Sequence, residues 1–186
     1  SQFTTTDFQW SGVSPFNEQN GGDAVAEVFW IPFLSTWSNV QRRQDVFLAG
    51  TSEIDNTDWV LSMGHFMGLL DGNWLGFPAS RKLAFLRYAD FNCIKDGKII
   101  RSSFFCDLIG FMYQLGINPL PPQTGASFIY PGPRTHDGLL FEPQDQRESQ
   151  KTLELVNRMI GDLSDLNKNK NDCPSPDLLK KTWHDD

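Results

Sequence analysis

Apolar residues in this chain run first in a short alternation, then at helical spacing, then in long alternating runs, and finally at helical spacing again. Phe8-Gln9-Trp10 alternates and breaks at Ser11-Gly12, which predicts a short strand. A loop rich in Asn and Gly follows through Gly22, and Asp23 is placed to cap a helix. Val25, Phe29, Phe33 and Trp37 fall on one face of that helix, and Pro32 inside it predicts a kink or an end.

From Gln44 the period becomes that of a strand. Val46–Ala49, Trp59–Leu70, Lys82–Ile94 and Ile99–Cys106 read as four strands, separated by turn signals at Asp55-Asn56, Asp71-Gly72-Asn73 with Gly76-Phe77-Pro78, and Asp96-Gly97. Such short connections make an antiparallel meander, and Gly64 and Gly68 inside the second strand mark where it should bend. Asp107 predicts the N-cap of a short helix with Leu108, Phe111, Met112 and Leu115 on its apolar face and Gly116 just past its end. Residues 118–144 are rich in Pro and Gly with little periodicity, as expected of a covering loop or a linker. Leu153, Val156, Ile160 and Leu163 then form a helical stripe, and Ser175-Pro176 would open a second helix packed through Leu178, Leu179 and Trp183. The fold class is α+β: a strongly curved antiparallel sheet covered by helices, around a mostly apolar pocket.

Composition narrows what such a pocket takes. Aromatic residues make up 13% of the 186 positions, enough to fill a core and also to line a cavity for a flat or greasy ligand. The net charge of −7 argues against nucleic acid, whose phosphates need clustered Lys and Arg. No apolar stretch approaches the roughly 20 residues that span a bilayer. The N-terminal residues show neither the basic nor the apolar region of a secretory signal, so a cytoplasmic setting is expected. Cys93, Cys106 and Cys173 suit neither a full disulfide framework nor a metal site.

An ordered series of short motifs adds a family likeness. Gly64-His65 with Gly68, Gly76-Phe77-Pro78-Ala79-Ser80-Arg81, Arg87-Tyr88-Ala89-Asp90-Phe91, Asp96-Gly97-Lys98-Ile99, and Asp107 through Gln114-Leu115-Gly116 follow one another as in the SnoaL-like polyketide cyclase (ester cyclase) family. Upstream, Pro15-Phe16-Asn17-Glu18, the Asp23 helix with Trp30 and Pro32, and Phe47-Leu48-Ala49-Gly50 resemble its first half, so that the likeness covers about three fifths of the chain. The resemblance implies a cone of the nuclear transport factor 2-like type and a homodimer. Such a domain normally begins with two helices, for which this chain has no room before its first strand. Residues 1–117 are then the domain, 118–148 a strap or linker, and 149–186 two helices that close this cone, in cis or across a dimer, or begin a second repeat.

The resemblance also implies chemistry: ring closure by proton transfer next to a carbonyl, without metal or organic cofactor. The family's acid/base aspartate aligns with Phe104, in Ser102-Ser103-Phe104. Phenylalanine carries no proton, so the remaining catalytic candidates are Asp90 and His65. Asp90 shares a strand face with Tyr88 and Asn92, which the resemblance turns into the cone. Its other expected role is a hydrogen bond to backbone or to a neighbouring Arg. A lone His on an apolar strand is more often a satisfied core histidine, which is the other reading of His65. Trp10, Trp30, Tyr88, Ser102 and Phe104 are the candidate substrate-binding residues, with plain core as the alternative for the aromatic ones. Two functions fit: a cofactor-free cyclase or isomerase using Asp90 or His65, and a binding module that holds a hydrophobic small molecule without turnover.

Overall fold

The computed structural model of the chain describes residues 2–122 and 132–168. They divide into two units, Ser1–Phe141 and Glu142–Asp186. The first is built from strands β1 (Thr4–Gly12) and β2 (Glu18–Asn20), a helical run, strands β3 (Trp37–Thr51), β4 (Asp58–Leu70), β5 (Leu83–Lys95) and β6 (Lys98–Cys106), and a short helix. The strands make one curved, unclosed sheet in the order β2-β1-β6-β5-β4-β3. From β3 to β6 the sheet is the antiparallel meander that the turn signals predict. β1 adds to the edge of β6 in parallel, so the sheet as a whole is mixed.

The sheet bends where the glycines sit. The register of β3 against β4 slips between Gln44 and Val46, opposite Gly64, and between Ser38 and Gln41, beside Gly68. A Cβ on Gly64 would lie 2.0 Å from the Arg43 carbonyl oxygen, so only glycine lets the bulged strand approach this closely. The β5–β6 hairpin turns through Asp96 and Gly97 at φ of 50° and 73°, the left-handed pair that suits strand twist.

The first helical run carries two differences from the sequence reading. Gly21, not Asp23, is the N-cap, and the run passes from α1 (Gly22–Val25) through a π-helical stretch (Ala26–Trp30) into α2 (Ile31–Thr36). Pro32 explains the irregularity: its ring crowds the carbonyl one turn back and it has no N–H to give. The wider π turn absorbs this without ending the helix. Val25, Phe29 and Phe33 still share the buried face, and Trp37 continues it as the first residue of β3.

β3 begins seven residues before the expected Gln44, in a polar run from Ser38 to Gln44. It is the last strand of the sheet, and the charged and amide side chains it exposes between Ser38 and Gln44 suit an edge.

After β6, Asp107 accepts a hydrogen bond from the Gly110 amide at 2.7 Å and caps α3 (Leu108–Gln114). Gly116, at φ 77°, closes that helix, with its amide bonded to Tyr113 and that of Ile117 to Met112. Gln114 at its end pairs like a strand residue with Phe85: its Nε2 donates to the Phe85 carbonyl at 2.7 Å and its Oε1 accepts from the Phe85 amide at 2.8 Å. This fixes α3 to β5.

Helices and inner sheet face enclose a core that is mostly aromatic. Phe29, Phe33, Trp74 and Phe111 are at most 1% exposed and meet one another, or Trp37, at ring-centroid distances of 5.1 to 6.3 Å. Burying each such ring contributes about 1.5–3 kcal/mol. Much of the aromatic content is therefore packing that fills the deep end of the cone.

Gly138 and Leu140 hydrogen-bond the two backbone groups of Phe47, and Phe141 stacks on its ring at 5.0 Å, so the end of the irregular segment runs along β3. In the second unit, α4 spans Gln146–Lys168. Leu153, Val156, Ile160 and Leu163 lie on it, and Val156, Ile160 and Leu163 are exposed. Cys173 and the helix expected around Ser175, Leu178 and Trp183 fall outside the described residues.

Candidate functional site

Strand alternation sorts the sheet into two faces. Phe8 and Trp10 on β1, Ser62, Gly64 and Phe66 on β4, Ala84, Leu86 and Tyr88 on β5, and Ser102 and Phe104 on β6 are buried on the helix-covered side. Asp90 and Asn92 continue the β5 series on that side. β5 pairs Asp90 with Ser62 on one flank and Phe104 on the other.

A cavity of about 330 Å³ opens here, between the start of the first helical run and β1, β5 and β6. Trp10, Trp30 and Phe104 form much of its apolar wall, and Asp90, Asn92, Ser102 and Asp23 supply polar groups. Phe104 stands between the two tryptophans, 5.9 Å from the Trp10 ring and 6.2 Å from that of Trp30. Thus Asp90, Trp10, Trp30, Ser102 and Phe104, all singled out from the sequence, meet at one cavity. Trp10 and Phe104 are at the same time core residues, 4% and 2% exposed.

Asp90 is held by a residue the sequence reading did not name. Arg42, from β3, donates through one terminal nitrogen to Asp90 Oδ2 at 3.0 Å and through Nε to the Tyr88 hydroxyl at 2.9 Å. Its guanidinium lies over the Tyr88 ring, 4.6 Å from the centroid. Ser62 completes the cluster, accepting from Arg42 at 3.2 Å and from Gln44 at 2.8 Å, with its hydroxyl 3.2 Å from that of Tyr88. Tyr88 belongs to this network behind Asp90 rather than to the wall of the cavity. Ser102 donates to Asn92. The expectation that Asp90 could pair with a neighbouring Arg is met. What identified no particular Arg beforehand is distance along the chain: Arg42 and Asp90 are 48 residues apart.

Burial pushes the Asp90 carboxyl above its ordinary pKa, while Arg42, by charge and hydrogen bond, and the Asn92 side chain pull it down. Desolvation prevails. A carboxyl of raised pKa beside an apolar cavity can exchange a proton or anchor a polar ligand group.

His65 does not join Asp90. It sits at an odd position of β4, between the inward Gly64 and Phe66, and so points to the opposite face. There its Nδ1 lies 3.2 Å from Asp45 Oδ2 and its ring 5.7 Å from that of Phe85. The motif drew attention to the residue type; the alternation of β4 carries the face.

Among the described residues, no group of three or more His, Cys, Asp or Glu is placed to hold a metal ion, and no helix is long and apolar enough to cross a membrane.

No protein-family model matches the chain, and no curated protein is similar to it. Solved structures are. IdmH from Streptomyces antibioticus, a candidate polyketide cyclase, superposes with a TM-score of 0.52 over 62% of this chain and 84% of its own, at 11% identity. AclR from Streptomyces galilaeus, a candidate hydroxylase, gives 0.51 over 66% of this chain and 71% of its own, at 16% identity. A candidate SnoaL-like polyketide cyclase from Jannaschia sp. CCS1 is 19% identical over 65% of this chain and 76% of its own, with a TM-score of 0.46. At such identities the likeness to IdmH and AclR is one of fold. The chain has the SnoaL-like, nuclear transport factor 2-like fold: a curved α+β sheet closed on one face by helices.

Proposed function

We propose that this protein holds a small, largely apolar molecule in the cavity beneath Trp30, with Asp90 as its polar anchor. The observation that supports this best is the position of Asp90: a partly buried carboxyl, fixed by Arg42, in the wall of a cavity otherwise dominated by aromatic and aliphatic side chains. Cavities of this size and lining suit compact ligands, with the few polar groups setting orientation.

Catalysis is a second reading. A carboxyl with raised pKa can take a proton from the carbon next to a carbonyl, as cofactor-free ring closure requires. Phe104 at the position of the family's acid and His65 on the far face leave Asp90 as the acid/base candidate at this cavity.

Asp90→Asn separates the two. For a binding protein, the variant changes affinity for a captured ligand and there is no turnover to lose. For an enzyme, it abolishes turnover while affinity stays within about tenfold. Mass spectrometry of small molecules released from the purified protein supplies the ligand. Trp30→Ala should then release that ligand. Undiminished retention in Trp30→Ala would remove this cavity from the proposal.

A further inference from the structure

The lining of the cavity carries a sign. Its described residues include two carboxylates, Asp90 and Asp23, and no Lys, Arg or His. Arg42 is held behind Asp90 and is not part of the wall. It balances one of the two carboxylates and leaves the other, at the exposed mouth, without a counter-charge in the wall. The remaining surface is notably aromatic: Trp10, Trp30 and Phe104 lie in mutual reach around Phe104. Indole and phenyl faces attract positive charge, and most strongly where water is excluded.

Three kinds of ligand meet this lining differently. A wholly apolar molecule would desolvate Asp90, Asn92 and Ser102 without returning a hydrogen bond, which is costly for a carboxyl. An anion would face two carboxylates and no cation in the wall. An organic cation satisfies both parts of the surface: its charged N–H groups can donate to carboxylate oxygens, and its substituents lie on the rings. A carboxylate offers about four acceptor sites, and Arg42 donates to Asp90 Oδ2. The protein already seats one cation this way nearby, with the Arg42 guanidinium 4.6 Å over Tyr88 and 5.9 Å from the Phe66 centroid while bonded to Asp90.

We propose that the ligand of this cavity is a small organic cation, an amine or ammonium group on an apolar body, held by Asp90 and Asp23 against Trp10, Trp30 and Phe104. The proposal rests on the reading of the cavity as a ligand site and adds the charge of its occupant.

Three probes of one shape and different charge test it: 4-phenylbutylamine, 4-phenylbutan-1-ol and 4-phenylbutanoate. Each is titrated into the intact protein at pH 7 and low salt, with tryptophan fluorescence and calorimetry as readouts. The amine should bind at least tenfold more tightly than the alcohol, and the carboxylate least. Asp23→Asn, at an exposed position, should cut the amine's advantage over the alcohol by threefold or more. Asp90→Asn should cut it further. Equal binding of amine and alcohol would overturn the cation proposal and leave the cavity as a ligand site. Tightest binding of the carboxylate, or a preference for the amine that neither variant changes, would also overturn it. If none of the three binds, both the charge proposal and the ligand-site reading fall.

Discussion

Arg42 and Asp90 meet at 3.0 Å across β4, from strands that are not neighbours in the sheet. Ser62 lies between them and bonds to Arg42, so the ion pair is one side of a polar network on an otherwise aromatic face. Arg42 is 39% exposed at its side chain and Asp90 14%, which makes the pair half open to water. A double-mutant cycle with Arg42→Met and Asp90→Asn should therefore return a coupling of about 1 kcal/mol, near the upper end for exposed pairs. A coupling of zero in chemical denaturation would show that the pair contributes nothing net to the fold.

The direction of the Asp90 shift sets a pH dependence. Its pKa in the fold lies above that in the unfolded chain, so the native state holds this proton more tightly. The stability that Asp90 contributes is then fully present below the unfolded value, near pH 4, and is lost as the pH rises through the raised value. Asp90→Asn stays neutral throughout. Thermal melts at successive pH values should show parent minus variant Tm falling from about pH 4 upward and then levelling off. A difference that rises with pH would contradict the assignment of burial as the dominant cause.

Gly64 gives a test of the bend. An alanine Cβ there would meet the Arg43 carbonyl oxygen, a backbone atom that cannot turn aside. Gly64→Ala should cost about 3 kcal/mol or more, or prevent folding. Gly50, in β3, has nothing within 4 Å of the same position, and Gly50→Ala should change stability by no more than about 0.5 kcal/mol. Equal melting of the two variants would show that the bulge is not needed for the bend.

Cys106 is held as a thiol. Burial, with Asp107 adding to it, pushes its pKa up to about 12. In native protein at pH 8, iodoacetamide should alkylate it far more slowly than after denaturation, because the thiolate is the nucleophile. Fast native labelling, located by peptide mass spectrometry, would contradict its placement.

The C-terminal segment is open to a direct test. An amphipathic helix such as α4 gains little without something to cover its stripe. We propose that residues 149–186 are required for a soluble fold, so that their deletion yields insoluble or molten protein by near-ultraviolet circular dichroism and dye binding. A truncated chain that stays folded, monomeric and soluble would show that the segment is a separate domain.

Features that depend on near neighbours were legible along the chain. The limits of β4, β5 and β6 follow from period-2 alternation between strong turn signals, and the Asp107 cap and Gly116 stop follow from the chemistry of helix ends. The bend followed from two glycines in one strand, since only a close backbone approach makes them necessary there. Alternation also put Asp90 on one strand face with Tyr88, and the family likeness turned that face inward. Other features needed the tertiary structure. The polar start of β3 shows no alternation because an edge strand has little to bury there. The parallel pairing of β1 with β6 joins strands almost a hundred positions apart, and no local pattern encodes which strand an edge will meet. The same holds for Arg42: any of several arginines could have faced Asp90, and the register of β3 across β4 decided which one did. Most of all, tertiary packing divided the aromatic residues. The residue type is the same in core and cavity wall, and only three-dimensional proximity separates Phe33, sealed among rings, from Trp30, left with one side toward a cavity.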